Sequence, residues 1–193
     1  MTRAARLVAV ALATLPAPVL AQSSDVLLNC SACHAIAPDR PAAARAFPDL
    51  NGQPVRYLER QLEAFRTGDR QHRQMELTAH ALGAGHGAMA RMYADAPRPD
   101  FTRDAQGATP ELVMQGDWER GLPPCASCHS LDPDQDRART SPRLHGQPET
   151  YLADQLHAYA DGSRTSDPMG RMRAFAGRLG AEIGRASCRE RVS

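Results

Sequence analysis

Two five-residue stretches of this 193-residue chain carry its most specific chemistry. They read Cys30-Ser31-Ala32-Cys33-His34 and Cys125-Ala126-Ser127-Cys128-His129. Two thiols separated by two residues lie on one helical turn, so both can add as thioethers across the vinyl groups on one porphyrin edge. The histidine that follows then falls beneath the iron as proximal ligand. Cys-x-x-Cys-His is accordingly the attachment signature of a c-type haem. Its double occurrence predicts two haem c groups, bound covalently through Cys30, Cys33, Cys125 and Cys128, with His34 and His129 on the iron. Other uses of paired cysteines fit less well. A zinc site of Cys-x-x-Cys pairs needs no histidine after each pair. A thioredoxin-like dithiol needs one pair in a βαβ setting that the sequence lacks. Disulfides closed within such short loops contribute little. The fifth cysteine, Cys188, is unpaired and is given no function.

The elements that must position these groups are themselves repeated. Pro48-Asp49-Leu50-Asn51-Gly52-Gln53-Pro54 runs on to Tyr57-Leu58 and Gln61-Leu62, and Pro142-Arg143-Leu144-His145-Gly146-Gln147-Pro148 runs on to Tyr151-Leu152 and Gln155-Leu156, at an offset of 94 residues. A period of that length is too long for a solenoid and means two homologous domains, one haem to each. Domains of this size are poor in apolar core, and the haem plate supplies what is missing. After each Gly-Gln-Pro a helix is expected, with Pro54 and Pro148 in its first turn. Leu58, Leu62 and Phe65 form one apolar stripe and Leu152, Leu156 and Tyr159 its counterpart. Gly68 and Gly162 are the stops. A further helix within 84–94, carrying Met89, Met92 and Tyr93, closes the first domain. One from Glu111 to about Gly121, with Val113 and Trp118, leads into the second haem motif. Only eight residues, Gln22 to Asn29, lie between the leader and Cys30, so the first domain's N-terminal helix is short or missing.

Hydrophobic residues make up 42% of the chain, with 15 Pro and 14 Gly, which excludes both a disordered chain and a long coiled coil. All 23 basic residues are Arg, so lysine chemistry such as a Schiff base or a P-loop is excluded. A net charge of +1 gives no reason to expect a nucleic-acid partner. Arg3 and Arg6, the apolar run Leu7 to Leu15, Pro16, Pro18 and the small-residue site Val19-Leu20-Ala21 form a secretory signal peptide cleaved before Gln22. The run is too short to span a bilayer. The expected organisation is a signal peptide over 1–21, a first haem domain over 22–96, a Pro-bearing linker over 97–110, a second haem domain over 111–183, and an atypical, non-native tail over 184–193. The tail has too few large apolar residues to complete a packed helix.

With the two Cys-x-x-Cys-His units, the repeated P-x-L-x-G-Q-P-x-x-Y-L-x-x-Q-L and the leader, the sequence resembles the dihaem cytochromes c of the cytochrome c4 type over nearly all of residues 22–183. The resemblance implies an all-α protein of two tandem class I cytochrome c domains related by a pseudo-twofold axis. It implies a periplasmic carrier of single electrons, not an enzyme. Its redox partners would be a quinol-oxidising complex or dehydrogenase upstream and a terminal oxidase downstream. A monomer is expected, with at most a loose membrane association. By match of motif, the carbonyls of Pro48 and Pro142 would support the proximal histidines. The family's distal methionine lies seven residues before a leucine, which selects Met75 before Leu82 and Met172 before Leu179. Counting from Gly-Gln-Pro selects Met169 instead of Met172. Met89 and Met92 read as core, and His72 and His80, the rival ligands, as exposed. His/Met ligation fills both axial positions and leaves no site for a small molecule. The alternatives are a peroxidase-like haem enzyme with one open iron, or a cytochrome subunit docked on a periplasmic oxidoreductase.

Overall fold

A computed structural model of the chain describes residues 30–34, 47–98, 111–129 and 140–183. The expected signal peptide, most of the linker, and the tail with Cys188 lie outside the described residues. Among the described residues every repetitive element is helical. Extended backbone pairs only at two isolated antiparallel bridges, Arg70 with Arg164 and Asp117 with Leu122.

The first half contains α1 (Val55–Thr67), α2 (Arg73–Leu82) and α3 (His86–Asp95), with a 3-10 turn over Gly83–Gly85 between the last two. The second contains α4 (Glu111–Gln115), α5 (Glu149–Ala160) and α6 (Arg171–Leu179), with 3-10 turns over Cys125–Ser127, Pro168–Gly170 and Gly180–Glu182. α1 packs on α2 and α3, and α5 on α6. Pro54 and Pro148 precede their helices by one residue instead of opening them: their ψ values of 131° and 133° are extended. Their carbonyls accept the first helical amides, those of Leu58 and Leu152, at 3.0 Å. α1 stops at Gly68 (φ 85°) and the chain leaves α5 through Gly162 (φ 80°), as expected of residues free to turn left-handed.

The two stripes are buried unequally. Leu58 and Phe65 are buried and Leu62 half-buried, whereas in the second half only Tyr159 is buried and Leu152 and Leu156 are half-buried. Tyr57, Leu58, Ala90 and Tyr93 form one core cluster, against which Met89 and Met92 pack as fillers. Leu122, Leu179 and Ile183 form the other, with Leu112, Leu156 and Phe175 around it.

The helix expected from Glu111 to about Gly121 is instead only five residues long. It ends because Gly116 adopts φ 76°, and the chain then folds into a turn closed by Asp117 and Leu122, whose amides and carbonyls exchange bonds of 2.7 and 2.8 Å. Asp117 also accepts from the Arg120 amide and guanidinium at 3.1 and 2.6 Å. Val113 is buried as expected, but Trp118 is carried onto the turn and is 71% exposed.

The halves meet through reciprocal contacts, in which residue pairs exchange roles at the 94-residue offset. Gln53 donates to the Arg143 carbonyl at 3.0 Å and accepts from the Arg143 amide at 2.9 Å. Gln147 does the same to Asp49, at 2.7 and 2.9 Å. Arg70 donates to Gln61 of its own half (3.0 Å) and to Tyr151 (2.9 Å) and Gln155 (2.8 Å) of the other. Arg164 donates to Gln155 of its own half (2.8 Å) and to Gln61 of the other (2.6 Å). Each guanidinium also stacks on a ring of its own half, Arg70 on Phe65 at 4.6 Å and Arg164 on Tyr159 at 4.4 Å. Such self-complementary exchange is the mark of a twofold relation. At about 1 kcal/mol net per hydrogen bond, the four glutamine–backbone bonds alone fix the two halves against each other by several kcal/mol.

Two glycines with left-handed backbone separate strain from collision. A Cβ on Gly116 would meet the Leu122 carbonyl oxygen at 2.5 Å and the Pro124 nitrogen at 2.7 Å, whereas one on Gly162 would meet nothing within 4 Å. Gly162→Ala should therefore cost only the left-handed penalty of about 1–2 kcal/mol. Gly116→Ala should cost clearly more, about 3 kcal/mol or above once backbone must move. Thermal denaturation of the haem-loaded variants checks this; equal losses would show that the turn after α4 is not held as described.

Candidate haem sites

Both Cys-x-x-Cys-His units are closed turns. In the first, residues 30–33 are helical and the His34 amide bonds the Cys30 carbonyl at 2.8 Å. In the second, a 3-10 turn carries Cys125–Ser127 and the His129 amide bonds the Cys125 carbonyl at 2.9 Å. Each turn thereby gathers two thiols and one imidazole. None of these four cysteines is in a disulfide; Cys30, Cys33 and Cys125 are half-buried and Cys128 is exposed. Burial, and then the neighbouring Cys33, push the Cys30 thiol up from its ordinary value.

Both imidazoles are buried, and each is oriented by a backbone carbonyl. His34 Nδ1 lies 2.8 Å from the Pro48 oxygen, and His129 Nδ1 lies 2.8 Å from the Pro142 oxygen. A carbonyl can only accept, so Nδ1 carries the proton and the lone pair is on Nε2, the tautomer a metal-binding imidazole needs. Burial holds His129 below the ordinary imidazole range, against the opposing pull of the Pro142 bond, so the ring is neutral near pH 7. The edge of Phe47 meets His34 at 6.2 Å between ring centroids. The Tyr93 hydroxyl donates to the His34 carbonyl at 3.1 Å and ties α3 to the first motif. Burial pushes that phenol far up, so it remains a donor.

Met75 is the third residue of α2 and Met172 the second of α6, and both are half-buried. Each stands seven residues before the leucine that ends its helix. The following glycines share one unusual conformation, φ 49° and ψ −122° at Gly83, φ 51° and ψ −124° at Gly180. Met169 lies outside α6, in the turn over Pro168–Gly170, with a left-handed φ of 59° and 77% exposure. His72 and His80 are exposed; His72 Nδ1 accepts from the Met75 amide at 3.4 Å and caps α2.

This donor set fits haem c in each half: two thiols outside any disulfide and an imidazole on one turn, with the Nε2 lone pair available to a metal, and a half-buried thioether seven residues before the last leucine of α2 and of α6. Sequence reasoning found these groups but missed what lies behind them. Gln53, Gln61, Gln147 and Gln155 stand in the repeat, where only the apolar residues carry a periodicity that marks them as structural. Arg70 and Arg164 recur at the same offset of 94, which was the available signal.

No family model matches the chain. It is 36% identical over 160 residues to the thiosulfate dehydrogenase electron acceptor of Thiomonas intermedia (strain K12), covering 78% of this chain and 71% of that protein. It is 32% identical over 152 residues to cytochrome c4 of Azotobacter vinelandii, covering 72% and 70%. Among solved structures, reduced cytochrome c4 of Pseudomonas stutzeri aligns with a TM-score of 0.65 at 26% identity, over 89% of this chain and 96% of that one. The thiosulfate dehydrogenase TsdBA of Marichromatium purpuratum aligns with a TM-score of 0.67 at 34% identity, over 82% of this chain and 34% of that longer one. These similarities join an all-helical architecture in two halves to a duplicated haem-attachment motif. The chain is a dihaem electron-transfer cytochrome, built of two class I cytochrome c domains around two haem c groups, and belongs to the cytochrome c4 family.

Proposed function

We propose that the protein is exported to the periplasm and there carries single electrons from a dehydrogenase or quinol-oxidising complex to a terminal oxidase. In this reading residues 1–21 are the cleaved leader, 22–96 and 111–183 the haem domains, and 97–110 the linker. Among the described residues no helix is long and apolar enough to cross a membrane. The observation that carries the reading is the paired constellation of two thiols outside any disulfide and an imidazole whose Nδ1 is engaged by the Pro48 or Pro142 carbonyl.

When bound, each haem c supplies one-electron cycling between Fe(III) and Fe(II). The chain's residues do the rest. Cys30 and Cys33 in one domain, Cys125 and Cys128 in the other, anchor the group. His34 and His129 present Nε2, held in tautomer and orientation by the proline carbonyls. Met75 and Met172 provide the distal thioethers. A histidine and a methionine held on each iron would leave no coordination site for a substrate, which favours a carrier over a peroxidase-like enzyme. Met172 is preferred to Met169 because it shares its helical position and burial with Met75, whereas Met169 sits in a strained, exposed turn.

The relatives named as thiosulfate dehydrogenase electron acceptors support a periplasmic dehydrogenase of that type as the donor. Mixing the oxidised protein with a thiosulfate dehydrogenase and thiosulfate should then reduce both haems within the enzyme's turnover time. Reduction by a quinol-oxidising complex alone would move the donor to the quinol side.

Substitution checks the ligand set. Oxidised His/Met haem shows a weak band at about 695 nm. Met75→Ala and Met172→Ala should each remove about half of it, and Met169→Ala should leave it intact. Loss of half the band in Met169→Ala with none in Met172→Ala would reverse the assignment in the second domain.

A further inference from the structure

The peptide group that orients each proximal histidine is bonded on its other side by the opposite domain. The Pro48 oxygen faces His34 Nδ1 at 2.8 Å, and the amide of that same peptide, the Asp49 N–H, donates to Gln147 Oε1 at 2.9 Å. The Pro142 oxygen faces His129 Nδ1 at 2.8 Å, and the Arg143 N–H of that peptide donates to Gln53 Oε1 at 2.9 Å. The amide nitrogens of the two glutamines grip the next carbonyl along, that of Asp49 at 2.7 Å and that of Arg143 at 3.0 Å. Each site therefore contains a continuous chain, imidazole N–H to carbonyl, through one peptide unit, N–H to glutamine carbonyl, and the glutamine comes from the other domain.

We infer that Gln147 and Gln53 are positioning residues that act in trans: Gln147 of the second domain sets the strength of the His34 ligand, and Gln53 of the first sets that of His129. This rests on the proposed ligation by the two histidines. The physical route is polarisation along the chain. A hydrogen bond accepted from the peptide N–H increases the negative charge on that peptide's oxygen, which makes it a stronger acceptor. A stronger acceptor at Nδ1–H gives the imidazole more imidazolate character and raises its basicity at Nε2. A more basic ligand favours Fe(III) over Fe(II) and so lowers the reduction potential. The glutamine also stops the peptide from rotating, so the carbonyl stays in line with the imidazole. Each glutamine is linked to the histidine it serves through one peptide unit, and a glutamine serving only to join the domains has no reason to favour one haem.

The test uses the full dihaem protein, with two haems per chain confirmed first by pyridine haemochrome; a different count would overturn the functional reading and this inference with it. Redox titration followed by NMR of the haem methyl signals gives each haem its own potential. Gln147→Leu should raise the potential of the haem on Cys30 and Cys33, changing its Fe(III)/Fe(II) ratio at fixed potential by about threefold, or about 28 mV at 59 mV per tenfold. The haem on Cys125 and Cys128 should stay within a fraction of that change. Gln53→Leu should do the converse. The Nδ1 proton of the affected histidine should move upfield as its hydrogen bond weakens. Gln147→Asn keeps the amide but cannot reach both backbone groups, so it should shift the same haem in the same direction and serves if the leucine variant loads poorly. Equal shifts of both haems, a shift confined to the substituted domain's own haem, or no shift at all would overturn the inference.

Discussion

Two peptide groups, Pro48–Asp49 and Pro142–Arg143, are the joints on which the molecule turns. Each must aim its oxygen at a buried imidazole and its N–H at a glutamine across the domain boundary. Those two demands fix where the Cys-x-x-Cys-His turn sits relative to the Gly-Gln-Pro turn, and so the direction in which α1 and α5 leave it. They also fix the docking of the domains, because a glutamine can satisfy the opposite backbone only if both copies stand in the same reciprocal relation. Site geometry and domain geometry are thus solved by one set of bonds.

The centre of the contact is unusual in its charge. Arg70 and Arg164 are both buried, pair their backbones across the boundary, and among the described residues bond no carboxylate. Two like charges in a buried interface are expensive unless every donor is met. Here the carbonyls of Gln61 and Gln155, the Tyr151 and Ser166 hydroxyls, and the faces of Phe65 and Tyr159 meet them. Gln61 turns its oxygen to both guanidinium groups, and among the described residues its own buried amide nitrogen meets no partner, so the cations dictate its orientation. The side chains that bear on the two arginines are neutral acceptors and rings, and the arrangement depends on their geometry. Loss of any one acceptor leaves a buried charge short of a partner.

Much of this could be read from residues alone, for identifiable reasons. Covalent haem attachment needs two thiols and a histidine at one spacing, and a duplication leaves a constant offset, so Cys30 to His34 and Cys125 to His129 declare themselves. Apolar stripes at helical spacing locate α1 and α5. The end of α4 could not be read the same way. Val113 and Trp118 suit a helix, and only the left-handed Gly116, forced by the close approach of Leu122, Pro123 and Pro124, breaks it. The glutamines and arginines of the interface were hidden for a different reason. Polar side chains carry no periodicity that separates solvent from a partner domain, and their roles appear only once the two copies are brought face to face. The choice between Met172 and Met169 depends on whether register is counted from the Gly-Gln-Pro turn or from Leu179, which differ because the loop before α6 is longer than that before α2.

Equivalence of the two sites is the central claim, and the oxidised spectrum of the unsubstituted protein, counted per chain, tests it most directly. Two haem c groups per chain, with the intensity at about 695 nm that two His/Met irons give, is the predicted result. A single haem per chain, or half that intensity with one iron high-spin, would mean that the halves are not equivalent and would contradict it.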